Sequence, residues 1–402
     1  MKHASPGMEY IMESVKGTPP QKLIAGFIVD GHHAGLSDLG YPSDLSGGTF
    51  CAHRNQIKNC DLSCDIPNID SLQIQSFPAI PKTDLFGRIE RDLEKCSNQM
   101  DFNFTLMTYI RMIFSAVVDA DFLDTEAFMT NGGLNRGKFI SLEEAKYRLD
   151  KYIQKFQNPR GKLNRKRTEI LNACIKAGNS IKHNLYELTV PTGGGKTISS
   201  LAFALHDAIA RKVHRQRIIY VIPYTSVIEQ TASIFQKIIG EDQVLEHHHN
   251  VDWDDLGEYG EIKRLASENW NMPLIVTTNV QFFESLFSNR PSKCRKLHNI
   301  ANSVIVFDEA QMIPLNYLMP CMRIVQELAT YYNCTVVFCS ATQPALGQLF
   351  PNNLKPYPII SNYEENYRSF KRVKILYRQK TISKVTLGME LSGKEQALCI
   401  VN

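Results

Sequence analysis

The chain has 402 residues, 43% of them hydrophobic and 21% charged, with a net charge of +4; this is the balance of an ordinary globular protein of roughly two to three domains. So small a charge excludes a polyanion-binding surface spread over the whole chain, and any contact with nucleic acid must rest on local clusters. No apolar run approaches the ~20 residues that span a bilayer, so no membrane partner is expected, and ten cysteines scattered without a signal peptide point to a reduced, cytoplasmic chain.

Residues 1 to about 36 and 81 to 128 carry apolar residues at helical spacing, most clearly in Leu85 to Cys96 and Phe104 to Phe122. Between them, Ser37 to Lys82 is rich in Gly, Pro, Ser, Asp and Asn and reads as an insertion. Its Cys51, His53, Cys60 and Cys64 invite a zinc reading, but their spacing matches no common structural site. In the first helical stretch, Asp30-Gly31-His32-His33 places paired imidazoles at a helix end, and His3 lies upstream. Asp121, with Asp119 as a competing acid, sits on an apolar helix where an unpaired carboxylate is costly. Three imidazoles and a carboxylate suit a divalent transition metal of the Fe, Mn, Co or Ni class better than Ca²⁺, although a histidine taken singly is more often structural than a ligand. Thr130 to Gly137 reads as a linker, and a basic helical stretch follows to Ala177. From Lys151 to Thr168 it holds seven Lys or Arg and no acid, which is either a solvated helix face or a surface for a nucleic-acid strand.

Beyond residue 180 the pattern changes to strand alternating with helix. Apolar runs at Leu185 to Val190, Arg217 to Ile222, Leu274 to Thr277, Ser303 to Phe307 and Cys334 to Ser340 predict a parallel sheet covered by helices on both faces. Ligands of such sheets sit beyond the carboxyl ends of the strands. The first strand runs into Val190-Pro191-Thr192-Gly193-Gly194-Gly195-Lys196-Thr197. Glycines there let successive N–H groups converge on phosphate oxygens, Lys196 reaches the β and γ phosphates of ATP, and Thr197 holds Mg²⁺. Val190 stands where the strictest P-loop pattern has Gly or Ala. The run Ser303 to Gln311 delivers Asp308, placed for Mg²⁺, and Glu309, placed to activate the attacking water. Ser340, Ala341 and Thr342 end the last strand and are candidates to sense the phosphates. Pro223, Thr225, Ser226, Thr277, Thr278 and Asn279 follow other strands and are candidate contacts to a single-strand backbone, or simple loops. The consecutive His247, His248 and His249 diverge in direction and read as a loop or interface element.

These segments resemble the superfamily 2 helicases, with motif I as VPTGGGKT, motif Ia as IPYTSVIEQT, motif II as DEAQ and motif III as SAT. Gln311 departs from the Asp or His usual in that superfamily. A helical segment with KHASPG, GHHAGL and VVDADFLDTE ahead of such a motor is similar to the CRISPR-associated helicase-nuclease of type I interference systems. The resemblance implies an α-helical HD-type domain followed by an α/β RecA-like domain. It divides the chain into an HD-type nuclease domain (1–130), a linker and basic helical segment (131–180), a first RecA-like domain (181–372) and the start of a second (373–402). It also implies that His3, His32, His33 and Asp121 are metal ligands, and that single-stranded DNA and an RNA-guided surveillance complex are partners. An early His and a His-Asp doublet of the family have no counterpart, and the second RecA-like domain is expected to supply an arginine finger. The resemblance therefore implies a fragment in which nuclease activity is impaired and efficient ATP hydrolysis requires the other half. The alternative is a general superfamily 2 helicase with an unrelated helical amino-terminal domain.

Overall fold

The computed structural model describes residues 4–58, 84–253, 259–342, 345–350, 354–373 and 381–399. His3, Cys60 and Cys64 lie outside them. The chain opens with helices α1 (Ala4–Ser14), α2 (Pro19–Gly31), α3 (Phe50–Lys58), α4 (Leu85–Glu94) and the 31-residue α5 (Gln99–Met129). Local chemistry sets their starts. Pro19 supplies the fixed φ of a first helical residue, and Thr18 N–H donates to Gln21 Oε1 at 3.2 Å. Asn98 caps α5 by accepting from Asp101 N at 2.9 Å. Helix α3 corrects part of the expected insertion. Its Phe50 is buried and stacks on Phe27 with centroids 4.3 Å apart, a burial worth roughly 1.5–3 kcal/mol.

Two helices follow, the charge-balanced α6 (Leu142–Ile153) and the basic α7 (Lys162–Gly178), and then the α/β region. In order it comprises β1 (Leu185–Thr189), α8 (Lys196–Ala210), β2 (Arg217–Ile222), α9 (Thr225–Ile239), β3 (Val244–His247), α10 (Gly260–Asn269), β4 (Leu274–Thr278), α11 (Asn279–Phe287), α12 (Pro291–Cys294), β5 (Ser303–Phe307), α13 (Leu318–Tyr331), β6 (Thr335–Ser340), β7 (Tyr357–Pro358), α14 (Tyr363–Phe370) and α15 (Lys384–Ser392). The strands form one seven-stranded sheet in the order β3-β4-β2-β5-β6-β1-β7, and every pairing is parallel. A helical amino-terminal region is thus followed by a RecA-like α/β domain, as expected.

Alternation along β2 explains the two-sided burial. Ile218, Tyr220 and Ile222 face a core shared with α6 to α9, while Ile219 and Val221 face the opposite core. That second core is continuous with the amino-terminal helices: Ile24, Phe27, Ile110, Phe114 and Val118 belong to the same buried cluster as Ile275, Ile305 and Phe307. The helical region is therefore packed onto one face of the sheet. Leu149, Ile153, Ile170 and Leu171 of α6 and α7 belong to the core on the other face.

His247 ends β3 instead of lying in a loop. It is buried, its Nδ1 accepts from Trp270 Nε1–H at 2.7 Å, and desolvation lowers its pKa to about 3, so it is a neutral packing group. Among the described residues, no helix is long and apolar enough to cross a membrane.

Candidate functional site

Sheet order brings the motifs together. β5, β6 and β1 are neighbours, so the segments that leave their carboxyl ends share one rim. Val190 N–H donates to Ser340 O at 3.1 Å, and Asp308 N–H donates to Val221 O at 2.8 Å. The P-loop turns through Gly193 (φ +81°) and Gly195 (φ +87°), a left-handed region open to glycine at no steric cost. Gly194 is required for a different reason. A Cβ there would lie 2.5 Å from Val190 Cγ1, so Val190 fills the space that a smaller residue would leave, and the departure from the strict motif is absorbed inside the loop.

Lys196 starts α8 and reaches back over the rim. Its Nζ is 2.7 Å from Asp308 Oδ1 and forms a short ion pair with Glu309 Oε1. Burial alone would push the Lys196 ammonium down, but the two carboxylates outweigh it and hold it above the usual lysine value. Burial raises the Asp308 carboxyl against the pull of Lys196. Glu309 is less buried, and Lys196 together with Gln311 holds it below the ordinary range. Glu309 also has φ +47°, an uncommon conformation for a residue with a Cβ and one that clusters at functional sites.

Gln311 ties motif II to motif III, a function that its place in the sequence did not suggest. Its Nε2 donates to Glu309 Oε2 at 2.7 Å, and its Oε1 accepts from Ser340 Oγ at 2.7 Å. Ser340 in turn accepts from Thr342 N at 3.0 Å. Ala341 lines the pocket beside Pro191, Thr192, Gly193, Lys196, Thr197 and Glu309. Arg167 was also missed. It closes the basic run, and its Nε donates to Gly193 O at 2.8 Å, so part of that run faces the P-loop. Beside it lies a cavity of about 280 Å³ lined by Phe156, Asn158, Asn164, Arg167, Gly195 and Ile198 among others.

The remaining candidates fare unevenly. Ile222 pairs with Thr278, so Pro223 and Asn279 leave adjacent strands side by side. Ser226 is exposed, and Pro223 and Thr225 are half-buried. Thr277 is fully buried, however, and its hydroxyl donates to His247 O at 2.8 Å, while Thr278 Oγ1 caps α11 by accepting from Gln281 N at 3.0 Å. Those two hydroxyls face inward, not toward a passing strand. In the helical region, the His32 and His33 rings lie 3.9 Å apart, and His32 Nδ1–H donates to Val29 O at 2.7 Å. The preceding Asp30 is buried and pairs with His53 at 2.7 Å. Asp121 is exposed. The costly buried carboxylate is instead Asp119, which pairs with Arg295 at 2.8 Å and accepts from Asn269 Nδ2 at 3.0 Å. Among the described residues, no three His, Cys, Asp or Glu side chains converge as a metal site.

Residues 168–349 match the family model of the DEAD/DEAH box helicases. Over 179 residues the chain is 32% identical to the CRISPR-associated nuclease/helicase Cas3 of Haloferax volcanii, a match covering 40% of this chain and 19% of that protein. A putative CRISPR-associated nuclease/helicase Cas3 of Methanocaldococcus jannaschii is 26% identical over 204 residues, 47% of this chain and 27% of that one. A crystal structure of T. fusca Cas3 with AMPPNP aligns over 86% of this chain and 39% of its own, at 14% identity and a TM-score of 0.45. The matched stretch spans less than a third of either curated relative. The helicase-family match covers the P-loop, the paired acids and the Ser340 strand end alike, and over this stretch the chain is similar to the Cas3-like DEAD/DEAH box helicases.

Proposed function

We propose that this chain carries the first wall of an ATP-driven motor that moves single-stranded DNA, within a helicase-nuclease of CRISPR defence that acts with an RNA-guided surveillance complex. The observation that carries the motor reading is the Lys196 bridge to Asp308 and Glu309 at the rim of adjoining strands. A carboxylate pair, one member buried, whose counterion is a single ammonium gains from an added cation, and the P-loop beside it offers backbone N–H groups to phosphates. These residues fit ATP with Mg²⁺. Thr197 and Asp308 would hold the ion, which when bound neutralises developing phosphate charge. Lys196 moves from the acids to the phosphates, Glu309 is thereby freed to orient water, and the cavity beside Phe156 and Arg167 takes the base. Pro223, Thr225, Ser226 and Asn279 are the candidate strand contacts; Thr277 and Thr278 contribute main-chain groups.

The nuclease part of the reading rests on His32 and His33, with His3 and Asp121 as further ligands. The described residues do not by themselves make a metal site, and no catalytic step is derived through one. A second reading, in which the helical region only braces the motor, draws on the buried Asp119–Arg295 pair.

Titration of the 402-residue chain with ATP tests the motor reading. Lys196→Ala should weaken binding roughly 100-fold or more, and an unchanged affinity would sink it. Metal analysis of the chain purified anaerobically, beside His32→Ala, separates the two readings of the helical region: a transition metal lost in the variant supports the nuclease, and none in the unmodified chain supports the brace.

A further inference from the structure

β7 is short, yet it fixes where the chain goes next. It pairs in parallel with β1, so its carboxyl end lies at the same rim as the P-loop, and α14 starts from there. Ile359 N–H donates to Glu187 O at 2.9 Å, Lys166 of α7 pairs with Glu365 at 2.6 Å, and Phe370 is buried in the core under α7 and α8. The segment from Tyr363 to Val373 is thereby held against the P-loop.

Two of its polar groups face the site without a partner among the described residues. The Arg372 guanidinium lies on Gly193, with one nitrogen 2.8 Å from where a Cβ would stand. The Tyr367 hydroxyl is buried and unpaired, and Lys196 and Glu309 lie close enough to influence its titration. Pro191, Thr192, Tyr367 and Arg372 line one cavity. The phosphate pocket shares Pro191 and Thr192 with that cavity, and shares Arg167 and Gly195 with the cavity assigned to the base. A nucleotide whose base occupies the latter therefore points its terminal phosphate toward Arg372 and Tyr367.

We propose that Arg372, assisted by the Tyr367 hydroxyl, binds the terminal phosphate of ATP from within the same polypeptide. A guanidinium presents a fork of N–H donors that matches phosphate oxygens, and charge-assisted bonds of this kind are about twice as strong as neutral ones. The proposal rests on the nucleotide-site reading above and adds a group that distinguishes triphosphate from diphosphate.

Fluorescent methylanthraniloyl ATP and ADP, titrated against the 402-residue chain, test it. Arg372→Ala should weaken ATP binding about tenfold and ADP binding less than about twofold, Arg372→Lys should recover part of the loss, and Tyr367→Phe should weaken ATP about threefold. Arg372 is exposed, so thermal melting should be unchanged and folding should not confuse the result. Unchanged ATP affinity in Arg372→Ala, or an equal loss for both nucleotides, overturns the proposal. If the unmodified chain binds neither nucleotide, or Lys196→Ala binds both as tightly, the nucleotide-site reading falls and the proposal with it.

Discussion

The rim of the sheet and the long helix α5 both bury charge, but they do so differently. At the rim, Lys196 holds Asp308 and Glu309 next to a glycine loop, and on the proposed reading these groups exchange partners when a nucleotide arrives. On α5, Asp119 is closed in by Arg295 and Asn269, and Arg295 also pairs with Glu268 at 3.0 Å. Those partners come from the motor side of the molecule and are fixed by packing. Buried charge therefore marks a ligand site only where its present partners are provisional; where they are fixed by packing across an interface, the same burial makes a brace. The brace is extensive. Ser115 meets His298 at 2.9 Å, Arg111 donates to Ser288 O, and Leu36 N–H donates to Asn289 O at 3.0 Å.

The largest expected effect tests the brace. Asp119→Ala leaves the buried Arg295 with Glu268 as its remaining carboxylate partner and should cost about 3 kcal/mol of stability, whereas Asp121→Ala, on the exposed side, should cost less than about 0.5 kcal/mol. Urea unfolding of the two variants measures the difference. Equal stability would mean that Asp119 is not the structural acid.

That pair of residues also shows what the sequence could and could not convey. Asp119 and Asp121 are two positions apart, about 200° around a helix, so they lie on opposite faces. The pattern around them does not say which face is covered, because Val117 and Phe122 are each 41% exposed despite being apolar. The buried face is defined by Asn269 and Arg295, which lie far along the chain. The motor strands were legible because burial on both faces demands continuous apolar runs, and the P-loop because phosphate chemistry demands glycines before a lysine. β3 was hidden by the polar ending Glu246-His247, and β7 by having only two residues, one of them proline. Helix α3 was hidden because it buries little beyond Phe50 and Ala52. The role of Gln311 depends on a contact with Ser340 that only the β5–β6 pairing creates.

A smaller effect tests whether the rim works as a connected unit. Gln311→Ala removes the bridge from Glu309 to Ser340 while leaving Lys196 and the P-loop in place. On the proposed reading, ATP affinity should change less than about twofold, and the stimulation of this chain's ATP turnover by single-stranded DNA should fall about tenfold, or ~1.4 kcal/mol. Unaltered stimulation would show that Gln311 only fills space.

The smallest effect lies in the brace and depends on pH. Glu327 on α13 is 1% exposed; its Oε1 accepts from Thr105 of α5 at 3.1 Å and pairs with Arg323 at 3.1 Å, while Oε2 has no partner among the described residues. Burial raises its pKa to about 7 despite Arg323. A carboxyl whose folded pKa exceeds its unfolded value of 4.5 holds a proton that the unfolded chain releases. Its stabilising contribution is complete below about pH 4.5 and is lost as pH rises toward about 7. Glu327→Gln replaces the carboxyl with an amide that stays uncharged at every pH. The variant should therefore match the unmodified chain near pH 5 and exceed it by about 1 kcal/mol at pH 8, a gain limited by the loss of the Arg323 pair. Thermal unfolding at both pH values measures this, and a variant destabilised at pH 8 would show instead that the ionised Glu327–Arg323 pair holds α13 against α5.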